Sequence, residues 1–176
     1  PYGAAKLYAH WITKVYQEAY DMFAVSGILF NHESPIRGLE FVTRKITNAA
    51  VQIKLGLKKD ISVGNLESKR DWGYAPEYME AIYLMMQQDK PETYVISTNE
   101  SHSVEELAKV SCEVLDLDWK DYVKTDKKYH RPLDINLLKG DYSKAKNELG
   151  WEPKTKFYEL IKFMVNEDLK RWKMFL

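Results

Sequence analysis

Ala24-Val25-Ser26-Gly27-Ile28-Leu29-Phe30 runs without a charge straight into Asn31-His32-Glu33-Ser34-Pro35-Ile36-Arg37-Gly38. The apolar run is too short for a core helix and reads as a buried strand of the kind found in parallel sheets. The polar stretch after it, with its Pro and Gly, reads as a loop. Loops that leave the ends of buried strands are where α/β proteins place ligands, so this one draws attention first. Upstream, Leu7, Trp11, Val15 and Ala19, with Tyr8, Ile12 and Tyr16 beside them, keep helical spacing over residues 5–23. A helix followed by a buried strand is half of an α/β unit.

Downstream the pattern continues. A helix is predicted over residues 40–55, a strand at Ile61-Ser62-Val63, turns from Gly64 to Gly73, a helix over 76–88 and a strand at Thr93-Tyr94-Val95-Ile96-Ser97. Ser103 and Glu106 have the spacing of a capping box that opens a helix to about residue 115. Residues 118–139 read as irregular and charged, Asp141-Tyr142-Ser143 as the cap of a short helix ending at Gly150, and 157–172 as a final amphipathic helix. The alternation predicts an α/β chain with a C-terminal part richer in helix. Trp72 is expected in the core, Tyr16/Tyr20 and Tyr74/Tyr78 as packing pairs, and Cys112 as a small buried apolar residue. The plain reading of Arg44 and Lys45 is helix-face charge.

Composition narrows the function classes. The 176 residues carry 26 Lys+Arg against 26 Asp+Glu, which gives no cationic excess for neutralising phosphates, so nucleic-acid binding is not the expected role. One cysteine cannot form an internal disulfide, and charged residues interrupt every apolar stretch before the ~20 residues that a membrane helix needs. A cytoplasmic protein is expected, with no metal site, no internal repeat and no low-complexity segment. Pro1 opens directly into the first helix, so the chain is expected to begin in the middle of something larger, by processing or as part of a longer polypeptide.

Tyr2 and Lys6 lie four apart, one turn along one helix face. An ammonium beside a phenol favours the phenolate, the form that can accept a proton. The spacing alone proves little: 12 tyrosines and 21 lysines give about 1.4 such pairs by chance, and the chain has three. The first pair stands apart through Gly3, Ala4 and Ala5, whose small side chains leave room for a flat ligand against the helix.

Pro1-Tyr2-Gly3-Ala4-Ala5-Lys6, Asn31-His32-Glu33-Ser34-Pro35, Phe41-Val42-Thr43-Arg44-Lys45-Ile46-Thr47, Gly64-Asn65-Leu66, Arg70-Asp71-Trp72-Gly73, Arg131-Pro132-Leu133-Asp134 and Ser143-Lys144-Ala145-Lys146 follow one another in an order and spacing that is highly specific as a set. The set resembles the C-terminal part of the extended short-chain dehydrogenase/reductases, and among them the GDP-mannose 4,6-dehydratase family, over nearly the whole chain. The resemblance implies a Rossmann-like cofactor domain joined to a smaller helix-rich substrate domain. Residues 1–40 would then be a remnant of the first, and 41–176 mainly the second, with some segments returning.

The resemblance also implies the chemistry. Tyr2 would take the sugar 4-hydroxyl proton and Lys6 would bond the nicotinamide ribose of NADP. The hydride would pass from sugar C4 to the cofactor and return to C6 after water is lost across C5 and C6. His32 and Arg37 would meet the cofactor, a guanidinium suiting the 2'-phosphate of NADP. Asn31, Lys45, Gly64, Arg70, Arg131 and Asp134 would contact GDP-mannose, the cations at the diphosphate and the carboxylate at hydroxyl or guanine N–H groups. A homo-oligomer, dimer or tetramer, is implied as well.

Departures matter as much. The eight glycines are never closer than eight apart, so no glycine-rich phosphate loop exists here. The family's Ser/Thr and Glu, which act at the 4-hydroxyl and at C5 and C6, would precede the tyrosine; Glu33 is not that Glu. The isolated chain is therefore expected to be inactive, with the apolar face of its first helix open. Two other readings stay in view: a different nucleotide-sugar epimerase or dehydratase, and a non-catalytic nucleotide-sugar-binding or assembly module.

Overall fold

A computed structural model describes residues 1–129 and 135–176. In chain order its elements are α1 (Tyr2–Tyr20), β1 (Ser26–Leu29), β2 (Asn31–Glu33), α2 (Val42–Lys54), β3 (Ile61–Val63), β4 (Lys69–Arg70), β5 (Trp72–Tyr74), α3 (Ala75–Met86), β6 (Thr93–Ile96), β7 (His102–Ser103), α4 (Val104–Glu113), α5 (Trp119–Tyr122), β8 (Val123–Thr125), α6 (Ser143–Leu149) and α7 (Phe157–Lys173). A 3-10 turn covers Lys127–Tyr129. Strands β1 and β6, β2 and β5, and β3 and β8 pair in parallel, while β4 and β7 pair antiparallel. Parallel partners far apart in sequence need crossovers, and the intervening helices supply them.

The structure departs from the sequence expectation where strands are shortest. Asn31–Glu33, expected in a loop, pairs with Trp72–Tyr74, and that pairing also turns part of the turn-rich 64–73 stretch into strand. Residues 118–139, expected to be irregular, hold α5 and a strand paired with β3. Two or three residues carry no readable periodicity; only a partner strand makes them β.

Among the described residues, two cores organise the fold. Ile46, Ala49, Ala50 and Val51 of α2, Leu107 and Ala108 of α4, and Leu160, Ile161 and Met164 of α7 pack together with Ile61, Val63 and Trp72. Tyr78 and Met85 of α3, Tyr94 and Ile96 of β6, Ala145, Leu149 and Trp151 form the second. The predicted capping box starts α4: Ser103 Oγ accepts from the Glu106 N–H at 3.0 Å, and the Ser103 N–H donates to the Glu106 carboxylate at 2.7 Å. Cys112 lies in the first core, where burial pushes its thiol up to about 11, the condition of an inert cysteine.

The apolar face of α1 is open, as expected: no residue of α1 is buried, and Leu7, Tyr8, Trp11 and Val15 face solvent. Other side chains sit otherwise than expected: β1, expected as a buried strand, has no buried residue, and Ile28 is exposed. The Tyr16 and Tyr20 rings touch at 5.1 Å yet remain exposed, whereas Tyr78 is fully buried and Tyr74 meets Phe163 edge-on. Arg44 is no solvated helix-face charge: its guanidinium is buried 2.8 Å from Asp168 of α7. Among the described residues no helix is long and apolar enough to cross a membrane.

Asp71, between β4 and β5, is fully buried. Its Oδ1 accepts from the Thr98 N–H at 2.8 Å and the Thr98 hydroxyl at 2.7 Å; its Oδ2 accepts from the N–H groups of Asn99 at 3.1 Å and Gly140 at 3.2 Å. Gly140 must be glycine for this approach, because a Cβ there would fall 2.3 Å from that of Ser97. In Asp71→Asn one carboxylate oxygen becomes an NH2 that cannot accept from N–H groups. A loss of about 2–4 kcal/mol is expected, read as a lower urea midpoint at unchanged slope.

Candidate functional site

Successive side chains of a strand point to opposite faces. On β2, Asn31 and Glu33 accordingly line a cavity of about 440 Å³, while His32 is not part of its wall. The His32 ring lies 5.2 Å from that of Tyr78, with Nδ1 2.9 Å from the Phe30 carbonyl oxygen. The same alternation on the neighbouring segment puts Arg70 and Trp72 into the cavity wall and turns Asp71 away from it. Gly73, the register partner of His32, leaves space for Tyr78, whose ring would stand 2.3 Å from a Cβ there.

Other walls come from the start of α2 and from loops. Val42 and Lys45, three apart and so on one helix face, join Phe41, and Val63, Gly64 and Asn65 close a further side. Tyr129 completes the lining, with the Lys45 ammonium 3.4 Å above its ring centroid. Arg70 Nη1 donates to the carbonyls of Lys69 at 2.8 Å and Ile135 at 2.6 Å. Asn31, Lys45, Gly64 and Arg70, singled out in four separate segments of sequence, thus meet in one cavity. Arg131 and Asp134 lie outside the described residues.

The residues expected at a cofactor are arranged differently. Tyr2 and Lys6 stand on the open face of α1, the Lys6 ammonium 5.6 Å from the Tyr2 ring centroid, and a Cβ added at Gly3 would meet nothing within 4 Å. Arg37 lays its guanidinium on the Phe41 ring at 3.6 Å and holds Nε 3.5 Å from the Glu33 carboxylate. None of these four, His32 included, belongs to the cavity wall.

Sequence reasoning missed Glu33 and Tyr129. Glu33 is buried in the cavity wall, where the Thr43 hydroxyl donates to its Oε2 at 2.5 Å. Burial pushes its carboxyl above the ordinary value of 4.5, more than Thr43 and Arg37 pull it down. Its position two residues after Asn31 becomes a signal only once the stretch is known to be a strand. Tyr129 had its place two residues before the Arg131-Pro132-Leu133-Asp134 string as a clue. Among the described residues no group of three or more His, Cys, Asp or Glu side chains could hold a metal ion.

Known proteins share this chain's sequence and shape. The family model described as GDP-mannose 4,6 dehydratase matches residues 1–164. GDP-mannose 4,6 dehydratase 2 of Arabidopsis thaliana is 55% identical over 170 residues, which are 97% of this chain and 46% of that protein. The GDP-mannose 4,6 dehydratase of Homo sapiens is 47% identical over 187 residues, covering 97% of this chain and 50% of that protein. The chain thus spans about half the length of the curated relatives it matches.

Solved structures agree in shape. RMD from Pseudomonas aeruginosa, complexed with NADPH, superposes with a TM-score of 0.86 at 16% identity, over 97% of this chain and 56% of that one. The dTDP-glucose 4,6-dehydratase of Bacillus anthracis, in complex with NAD, gives 0.85 at 23% identity, over 98% and 53%. At these identities the likeness shows the fold, a partial Rossmann-like α/β domain with its helix-rich C-terminal part.

A pH dependence follows from Glu33. Its folded-state pKa is raised, so the folded chain holds that proton more tightly than the unfolded chain does. The stability this contributes is fully present below the ordinary carboxylate range and is lost as pH rises through the raised value. Glu33→Gln, neutral throughout, should show a flatter fall in urea midpoint as pH rises above the ordinary carboxylate value of 4.5; identical slopes for the two proteins would refute the assignment.

Proposed function

The chain belongs to the GDP-mannose 4,6 dehydratase family, and from that premise we propose that the polypeptide containing it converts GDP-D-mannose to GDP-4-keto-6-deoxy-D-mannose. In this reading the chain contributes the nucleotide-sugar cavity. One observation carries the proposal: Asn31, Lys45, Gly64 and Arg70, from four separate segments, converge on a single cavity of about 440 Å³. Lys45 and Arg70 bring cationic donors to a diphosphate, with Arg70 held in place by the Lys69 and Ile135 carbonyls. Asn31 offers an amide on the same wall. Arg131 and Asp134 belong to the same proposal from outside the described residues.

The cofactor proposed is NADP. In support, a Cβ added at Gly3, between Tyr2 and Lys6, would meet nothing within 4 Å, which leaves room there for a flat nicotinamide and its ribose. When bound, NADP supplies the hydride acceptor and donor for the two redox halves of the reaction. Tyr2 Oη would take the proton of the sugar 4-hydroxyl as hydride leaves C4, which stays a ketone in the product, and an equivalent proton would return to C5 when hydride returns to C6; Lys6 Nζ would orient the ribose hydroxyls. Arg37 serves the 2'-phosphate and His32 the neighbouring part of the cofactor. The half of the relatives' length that lies beyond this chain would bring a phosphate-binding loop and cover the apolar stripe of α1. Assembly as a homo-oligomer is part of the same proposal.

Kinetic and binding measurements test this. In the full-length polypeptide, Tyr2→Phe should lower kcat by about 10²–10⁴, and Lys45→Met should raise the KM for GDP-mannose roughly 10- to 100-fold, the loss of one charge-assisted hydrogen bond. GDP should compete where dTDP and UDP do not; the reverse ranking would assign the cavity to another nucleotide sugar. The isolated 176 residues should show no turnover, and GDP binding by the full-length polypeptide without turnover would favour a binding module instead.

A further inference from the structure

The segment between β2 and α2 presents Arg37, and its backbone is gripped by two guanidinium groups. Arg44, 7% exposed, donates through Nη1 to the carbonyl oxygens of Pro35 and, at 3.0 Å, of Arg37. Its Nη2 donates to Asp168 Oδ1 at 2.8 Å. Arg171, one turn further along α7, donates to the same Pro35 carbonyl and stands 3.5 Å from Asp168 Oδ1. Asp168 is 1% exposed, and its Oδ2 accepts from the Thr47 hydroxyl at 2.8 Å.

A buried ion pair of this kind adds little net stability, because desolvating both charges offsets most of their attraction. Its product here is geometric. The planar fork of Arg44 puts one edge on Asp168 and the other on two loop carbonyls, a task that needs donors in fixed relative directions and that the single ammonium of a lysine cannot perform. One of those carbonyls belongs to Arg37 itself. The Arg37 guanidinium is in turn seated on Phe41 and beside Glu33. The carbonyl and the side chain of Arg37 are both held, the carbonyl from α2, while α7 holds Pro35 two residues before it.

We propose that Arg44 is a positioning residue for the cofactor's phosphate, acting through the carbonyl of Arg37, with Asp168 orienting its fork and Arg171 holding Pro35 from the other side. The inference rests on the reading of Arg37 as the partner of the 2'-phosphate. A displacement of about 1 Å at a group that must meet a ligand is enough to lose much of its contribution.

The test uses the full-length polypeptide and measures Kd for NADP and for NAD by calorimetry, and KM for GDP-mannose, in Arg44→Lys, Arg171→Lys and Arg37→Met, with thermal midpoints for each. Arg44→Lys should cut the preference for NADP over NAD by about ten-fold or more, while the KM for GDP-mannose changes by less than about two-fold. Arg171→Lys should shift the preference in the same direction by less, and it covers the case in which Arg44→Lys does not fold. A preference lost in Arg37→Met but kept in the folded lysine variants overturns the positioning role alone. A preference kept in all three overturns the reading of Arg37 along with it. Equal rises in both Kd values and in the KM for GDP-mannose would mean that Arg44 acts only on general stability, and would overturn the proposal as well.

Discussion

A carboxylate with four donors around it sets the register of everything near the cavity. Asp71 is fully buried, and its oxygens gather the Thr98 N–H and hydroxyl and the N–H groups of Asn99 and Gly140. These donors come from the end of β6 and from the far side of the stretch that contains Arg131 and Asp134. Charge-assisted bonds of this kind are roughly twice as strong as neutral ones, and leaving any one donor buried without a partner would cost its full desolvation. Because Asp71 points one way along an extended segment, its neighbours Arg70 and Trp72 must point the other, into the cavity wall. The orientation of two lining residues is thus decided by a residue that does not line the cavity.

A second set of buried charges governs the opposite side. Asp168, at one end of a chain of contacts through Arg44 and Arg171, connects α7 to the backbone of residues 35 and 37. The helix that closes the chain therefore controls the segment that follows β2. Between the two networks lies β2, whose alternation sends Asn31 and Glu33 to the cavity and leaves His32 against Tyr78. The cavity residues and the Arg37 segment are adjacent in sequence, but different partners hold them. The open face of α1, with Tyr2 and Lys6 on it, is supported by neither network.

Several features could be read from residues alone because their physical signal is local. The Ser103/Glu106 capping box needs only a spacing of three, and α2, α4 and α7 carry apolar periods long enough to specify both helix and buried face. The four cavity residues Asn31, Lys45, Gly64 and Arg70 were reached through an ordered set of short strings, none of which is decisive by itself. Glu33 and Asp71 stood inside two of those strings, which gave no sign of their burial, and Asp168 stood in none. An acidic side chain looks the same in sequence whether it faces water or takes four hydrogen bonds in a core, and Arg44 looks the same as any helix-face charge.

Sequence by itself determined the α/β alternation, the long helices and the family, since each depends on near neighbours or on an ordered pattern of strings. Tertiary structure alone decided that residues 31–33 form a strand, that Asn31 and Glu33 rather than His32 enter the cavity, and that Arg44 and Asp168 are buried. The reason is physical: a three-residue strand exists only through its partner's hydrogen bonds, and a charge can be buried only where distant groups satisfy it. Pairings of Asn31 with Trp72 and of Arg44 with Asp168 join residues far apart along the chain, and local spacing carries no record of them.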